Sequence, residues 1–119
     1  MILGHGVDIV DIRRFRSMDN NRLLRLAKRI CTESELKEFM NHKTNFQYLA
    51  KIWAAKEAIS KAFGTGIQGS VTWKVIQINT GKLGKPEVWF KKNWSVSCHL
   101  SISHETDYLL ASAILETHA

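Results

Sequence analysis

The chain has 119 residues, 45% hydrophobic and 24% charged, values ordinary for a soluble globular protein that exclude a disordered or low-complexity chain. The length predicts a single domain over 1–119 with room for one modest core. Seventeen basic residues against eleven acidic leave a net charge of +6, and no run of 18 apolar residues is present to cross a membrane.

Residues 2–10 predict a strand that ends at Asp8, Ile9, Val10 and Asp11. Residues 12–30 carry Ile12, Phe15, Leu23, Leu26, Ala27 and Ile30 at helical spacing, with a break near Asp19, Asn20 and Asn21. Thr32 followed by Glu35 is a capping box and predicts a short helix to about Met40. Thr44 and Gln47 give the same signal for a longer helix over 45–63. Its stripe is Phe46, Leu49, Ala50, Trp53, Ala54, Ala58 and Ile59, and Gly64 stands where a helix cap belongs. Val71 to Ile78 predicts a strand, 80–86 a turn, and Glu87 to Lys91 a shorter strand. Residues 96–104 alternate, with Val96, Cys98, Leu100, Ile102 and His104 on one face and Ser97, His99, Ser101 and Ser103 on the other. The segment from Tyr108 to Leu115 is nearly all apolar, as a central strand would be. Helices first and strands later, with one strand leading, give an α+β class: an antiparallel sheet with a long helix packed against it.

The N-terminal apolar run is short and lacks a cationic leader, and Cys31 and Cys98 show no CxxC spacing. A cytoplasmic protein with reduced, inert thiols is expected. The charge is concentrated: Arg13, Arg14, Arg16, Arg22, Arg25, Lys28 and Arg29 are opposed over 13–29 only by Asp19. That stripe fits an anionic partner (nucleic acid, membrane surface, acidic protein or phosphorylated ligand) or a solvated helix face.

Glu57 and Lys61 lie four apart on the long helix and share a face. Ala54, Ala55 and Ala58 leave the carboxylate uncrowded, and the helix runs into Gly64, Thr65 and Gly66, whose bare backbone could approach a phosphate. Asp8, after Gly4 and Gly6, offers a second carboxylate, and two carboxylates with phosphate oxygens suit Mg²⁺. No Walker loop, HExxH, GxSxG elbow or dinucleotide fingerprint occurs.

Three blocks together resemble the holo-acyl-carrier-protein synthases, the small class of 4'-phosphopantetheinyl transferases. They are Gly4 to Val10, Trp53 to Gly66 (WAAKEAISKAFGTG), and Leu100 to Glu105. The resemblance covers essentially the whole chain. It implies Asp8 and Glu57 as Mg²⁺ ligands, and Lys61 as the cation that neutralises phosphate charge during transfer. It implies Gly64, Thr65, Gly66 and His104, with Lys43, as holders of coenzyme A, and Arg14, Arg22 and Arg25 as contacts to acyl carrier protein. It further implies a homotrimer with active sites between subunits, acting in fatty acid biosynthesis without nucleic acid or membrane. The chain departs from the family pattern at Ile52, where an Arg is usual, with Lys51 or Lys43 as compensating cations. His5, Cys31 and Lys74 are further departures. The rival readings are a small basic nucleic-acid-binding domain using the 13–29 stripe, and a Mg²⁺-dependent hydrolase using the same carboxylates.

Overall fold

The computed structural model describes residues 1–118. Strand β1 (Ile2–Asp11) leads into two short helices, α1 (Ile12–Arg16) and α2 (Asn20–Ile30), then α3 (Glu33–Asn41) and the long α4 (Asn45–Ala62). A 3₁₀ turn at Trp73–Val75 opens the hairpin β2 (Ile76–Thr80) and β3 (Pro86–Phe90), and β4 (Val96–His104) and β5 (Tyr108–Thr117) close the chain. The strands form two antiparallel sheets, one ordered β1-β5-β4 and the other the β2-β3 hairpin. The α+β class and the packed long helix agree with the sequence reading.

The apolar segment β5 is central, as its composition requires, and α4 lies across β1 and β5. What lets α4 approach is the pair of glycines in β1. A Cβ on Gly6 would overlap the Ala58 carbonyl oxygen and lie 2.6 Å from the Ala62 amide nitrogen, and one on Gly4 would overlap the Ala62 carbonyl. The facing helix positions are alanines, so the two backbones meet almost directly. Ala54, Ala58, Ala111 and Ala113 are fully buried in the same layer.

Local signals held where backbone chemistry was specific. Asp19 caps α2 by accepting from the Arg22 amide, and it places the break between α1 and α2. The Thr32–Glu35 capping box is formed in both directions. Thr44, by contrast, makes no side-chain cap: with ψ at 65° its backbone is not in the extended form that aims a capping oxygen. The strand expected from Val71 begins only at Ile76. Val71 makes one isolated bridge to Gln68, and the Trp73 carbonyl accepts from the Lys56 ammonium instead of a neighbouring strand. Both cysteines are free, and burial pushes each thiol up to about 12, so they stay protonated and inert at neutral pH. Among the described residues, no helix is long and apolar enough to cross a membrane.

Candidate active site

Inner-face residues of the three-stranded sheet line up in rows, and one row reads Asp8, Ala111, Ile102. Asp8 sits at its β1 end, beside α4. The Lys61 ammonium donates to Asp8 Oδ1 and to the Val7 carbonyl, both at 3.0 Å. The lysine side chain is half exposed while that of Asp8 is only 14% exposed. Asp8 Oδ2 is buried without any hydrogen-bond partner. A carboxylate oxygen left in that state costs about 1–3 kcal/mol, a debt that a bound cation would remove. Glu57, one helical turn before Lys61, joins the same cluster. Burial and the nearby Asp8 carboxylate push its carboxyl above the usual range, against the opposing pull of Lys61.

Two carboxylates and an ammonium therefore converge where β1 meets α4. The set fits a hard divalent cation that takes a few protein oxygens and fills its shell with substrate and water. Among the described residues no group of three or more His, Cys, Asp or Glu could form an all-protein cage.

The Gly64–Thr65–Gly66 turn follows directly. Gly64 and Gly66 adopt φ of 84° and 69°, and added Cβ atoms would meet nothing within 4 Å, so the turn needs glycine for conformation and not for space. The Gly64 amide donates to the Lys61 carbonyl and the Gly66 amide to the Ser60 carbonyl. These two amides close the helix end. The bare backbone expected to face a phosphate is thus reduced to Thr65 and its hydroxyl, which donates to the Gly66 carbonyl.

His104 lies elsewhere. The alternation put it on an apolar face, and it is on that face, but it is exposed because β4 is an outer strand that α4 barely covers. It lines a groove of about 260 Å³ with His42, Thr44, Tyr48, Lys51 and Ile102. A second pocket of about 130 Å³, bounded by Ile52, Ile78, Asn79, Thr80 and Pro86, shares Tyr48, Lys51 and Ile102 with it. Lys43 is exposed in the connection between α3 and α4. The predicted site residues thus fall on the two flanks of one sheet: Asp8, Glu57 and Lys61 at β1, His104 at β4, with β5 between.

Tyr48 carries a signal the sequence did not reveal. It is 4% exposed, its hydroxyl has no partner, and it lines both β4-side depressions. The Lys51 ammonium sits 4.9 Å from the centre of its ring, and burial pulls that ammonium below the usual lysine range. Lys51, raised at first only as a substitute cation, lines the groove, whereas Ile52 is buried and apolar.

The basic stripe divides. Arg13 is held by Asp11 at 2.8 Å and lies 3.7 Å from Asp107, while Arg16 reaches Asp107 and the Thr106 carbonyl. Among the described residues, Arg14, Arg22, Arg25 and Arg29 make no ion pair, although Arg14 lies close enough to Asp11 to help hold its carboxyl low. Arg22, Arg25 and Arg29 rim a shallow groove floored by Met18 and Leu26. A cationic rim over an apolar floor matches an acidic amphipathic helix better than a nucleic-acid backbone.

Comparisons with known proteins identify the family. The model of the 4'-phosphopantetheinyl transferase superfamily matches residues 4–113. The holo-[acyl-carrier-protein] synthase of Alteromonas mediterranea is 40% identical, with 98% of each chain covered. That of Bacillus subtilis is also 40% identical, covering 98% of this chain and 97% of its own. The crystal structure of the Neisseria meningitidis synthase superposes with a TM-score of 0.90 at 39% identity, covering 98% of this chain and all of the other. A Bacillus anthracis synthase solved in complex with CoA (3',5'-ADP) gives 0.87 at 34% identity, with 98% of each covered. With Asp8, Glu57 and Lys61 gathered at one sheet edge, and near-complete coverage by these relatives, the chain belongs to the holo-[acyl-carrier-protein] synthases of the 4'-phosphopantetheinyl transferase superfamily.

Proposed function

We propose that this chain transfers the 4'-phosphopantetheine moiety of coenzyme A to a serine of apo-acyl carrier protein, releasing adenosine 3',5'-bisphosphate, with Mg²⁺ as cofactor. The observation that carries the reading is the buried, unpartnered Asp8 Oδ2 beside Glu57 and Lys61, in a chain so similar to named holo-[acyl-carrier-protein] synthases. Asp8 and Glu57 would hold the metal, which supplies charge neutralisation at the pyrophosphate when bound. Lys61 supplies a second positive charge close by, anchored to Asp8 and half exposed, so that it can also meet a phosphate oxygen. The serine oxygen attacks the phosphorus joined to pantetheine, the bond to the bridging oxygen breaks, and the bisphosphate leaves with the electron pair. Glu57, desolvated and beside Asp8, is the chain's best acceptor for the serine proton. Such transfers depend mainly on positioning and charge stabilisation, which this cluster is built to provide.

The β4-side depressions suit the nucleotide end of coenzyme A, a base in the pocket of Ile52, Ile78 and Pro86 and a phosphate beside Lys51 and His104. Since the pyrophosphate cluster lies on the opposite flank, the complete site draws on two copies. The outer sheet face supports this: Leu3, Val7, Ile9 and Leu110 are 40–63% exposed on it. A homotrimer in the cytoplasm, with Arg14, Arg22 and Arg25 receiving the acidic carrier protein, completes the reading.

Incubating apo-acyl carrier protein with this protein, coenzyme A and Mg²⁺ should add the mass of one phosphopantetheine arm, read by intact mass spectrometry, and EDTA should prevent it. No gain with several carrier proteins and a folded enzyme would overturn the proposal. Lys51→Met is expected to raise KM for coenzyme A about tenfold, the worth of one charge-assisted hydrogen bond, with kcat little changed. With 3'-dephospho-coenzyme A the same substitution should cost much less. Equal effects on both substrates would place the lysine away from that phosphate.

A further inference from the structure

The largest polar feature of the interior plays no part in the chemistry above. Lys56, adjacent to Glu57 on α4, is fully buried. Its ammonium donates to Glu35 Oε1 at 2.6 Å, to the Ile30 carbonyl at 2.8 Å and to the Trp73 carbonyl at 2.8 Å. Glu35 is 1% exposed and also accepts from the Thr32 amide through Oε1 and from the Ile78 amide through Oε2. Burial pulls the lysine below its usual range while Glu35 opposes that pull. Three acceptors around one nitrogen are matched only by the charged form, since a neutral amine has two hydrogens to donate.

Each contact leads to a different part of the proposed site. Ile30 is the last residue of α2, the helix that presents Arg22 and Arg25. Ile78 lies on β2, next to Asn79 and Thr80 of the base-sized pocket. Lys56 itself is on α4, one residue before Glu57 and five before Lys61. One buried ion pair thus ties the carrier-binding helix, a wall of the nucleotide pocket and the catalytic helix to a common point.

Such a pair is a poor device for stability alone, because apolar residues of similar volume often serve as well or better. It is a good device for geometry, since three directional hydrogen bonds fix both the height and the rotation of α4. We infer that Lys56, acting through Glu35, is a positioning residue that holds α2 and β2 in register with α4, so that the carrier serine meets the phosphorus at Glu57 and Lys61. The inference rests on the transferase reading above. Lys56 touches neither substrate. Its effect is confined to the alignment of two separately bound partners, for which a misplacement of about 1 Å costs roughly 10²-fold in rate.

The test is steady-state transfer by the Lys56→Met/Glu35→Gln double variant, which removes both charges at similar volume. Wild type is run alongside, with folding followed by circular dichroism and melting. The expected result is a fall in kcat of about 30–100-fold, with KM for coenzyme A and for carrier protein each within about threefold of wild type. A pair that only stabilised the fold would lower Tm and leave kcat of the folded enzyme unchanged. A folded double variant with kcat within threefold of wild type overturns the inference, as does a loss carried by KM alone. Glu35→Gln alone keeps the volume and one acceptor oxygen, and it decides the matter by the same kcat-against-KM criterion if the double variant does not fold. Absence of transfer by wild type would instead overturn the transferase reading, and this inference with it.

Discussion

Glu57→Gln is expected to cut transfer by about 10³-fold or more while leaving the metal-free protein folded and melting higher than wild type. The loss of rate follows from removing one of two carboxylates beside the pyrophosphate, where charge neutralisation is worth several kcal/mol of barrier. The gain in stability follows from the environment of that carboxyl. Burial, and then Asp8, make the folded chain hold the Glu57 proton more tightly than the unfolded chain does. Between the ordinary carboxylate range and the raised folded value, the native state binds more protons, so stability falls as pH rises through that window and stays reduced at neutral pH. Glutamine has no charge to desolvate and does not suffer this loss. Below the ordinary carboxylate range the two proteins should melt alike. Adding Mg²⁺ should reverse the order at neutral pH, because binding at ten times Kd stabilises the native wild type by about 1.4 kcal/mol and the variant by much less. Melting curves at pH 4 and pH 7.5, with and without Mg²⁺, together with the transfer assay, check all of this. Full transfer by the variant, or an identical Mg²⁺ response in both proteins, would remove Glu57 from the metal site. Asp8→Asn should lose activity similarly, and it also replaces the charged acceptor that anchors Lys61 at 3.0 Å by a neutral amide oxygen.

The parts of this site that could be read in the sequence are those that obey local rules. Glu57 and Lys61 are one helical turn apart, and a helix over 45–63 was evident from its apolar spacing, so their shared face followed at once. The capping box at Thr32 and the central placement of β5 were equally local, resting on a side chain three residues away and on a nearly continuous apolar run. The failures came where a distant group changed the outcome. The strand expected from Val71 is delayed because Lys56, seventeen residues before Trp73, takes that residue's carbonyl. The use of the Gly64 and Gly66 amides at the helix end is local, set by the Lys61 and Ser60 carbonyls, and leaves the role of the turn to be tested. Lys56 itself reads as one more charge in a basic chain. Only the fold shows that it is fully buried and that Glu35, twenty-one positions away, answers it. Asp8 could be proposed as the partner of Glu57 from family resemblance, but its orphaned oxygen is a tertiary fact. Likewise, no spacing rule places His104 across the sheet from Asp8, because that separation is set by β5 lying between β1 and β4.

Gly6→Ala is expected to be among the most damaging single-methyl changes in the chain. An added methyl can often be absorbed by a side chain that swings aside, which neither Gly4 nor Gly6 allows. Here the obstacle is backbone: the new Cβ would overlap the Ala58 carbonyl oxygen and crowd the Ala62 amide nitrogen at 2.6 Å. Relief requires α4 to lift from β1, which opens the layer of Ala54, Ala58, Ala111 and Ala113 to imperfect packing. The expected loss is about 3 kcal/mol, the upper end of the usual overpacking range, and Tm should drop by roughly 10 °C. The consequence for function is larger than the consequence for stability. Asp8 sits two residues from Gly6 on β1, and Glu57 and Lys61 flank Ala58 on the helix that must move. A shift of α4 therefore stretches the Lys61–Asp8 hydrogen bond and parts the two carboxylates. Well below its own melting point, the folded variant should still transfer poorly, with a weakened dependence on Mg²⁺. Gly81→Ala is the matched control. Its added Cβ would overlap the Glu87 carboxylate and lie 2.8 Å from the Lys85 carbonyl in the β2-β3 turn. That variant should lose stability while keeping Mg²⁺-dependent transfer in the folded protein. Equal Mg²⁺ responses in the two variants would mean that the glycine in β1 serves packing alone and that the metal site tolerates movement of the helix.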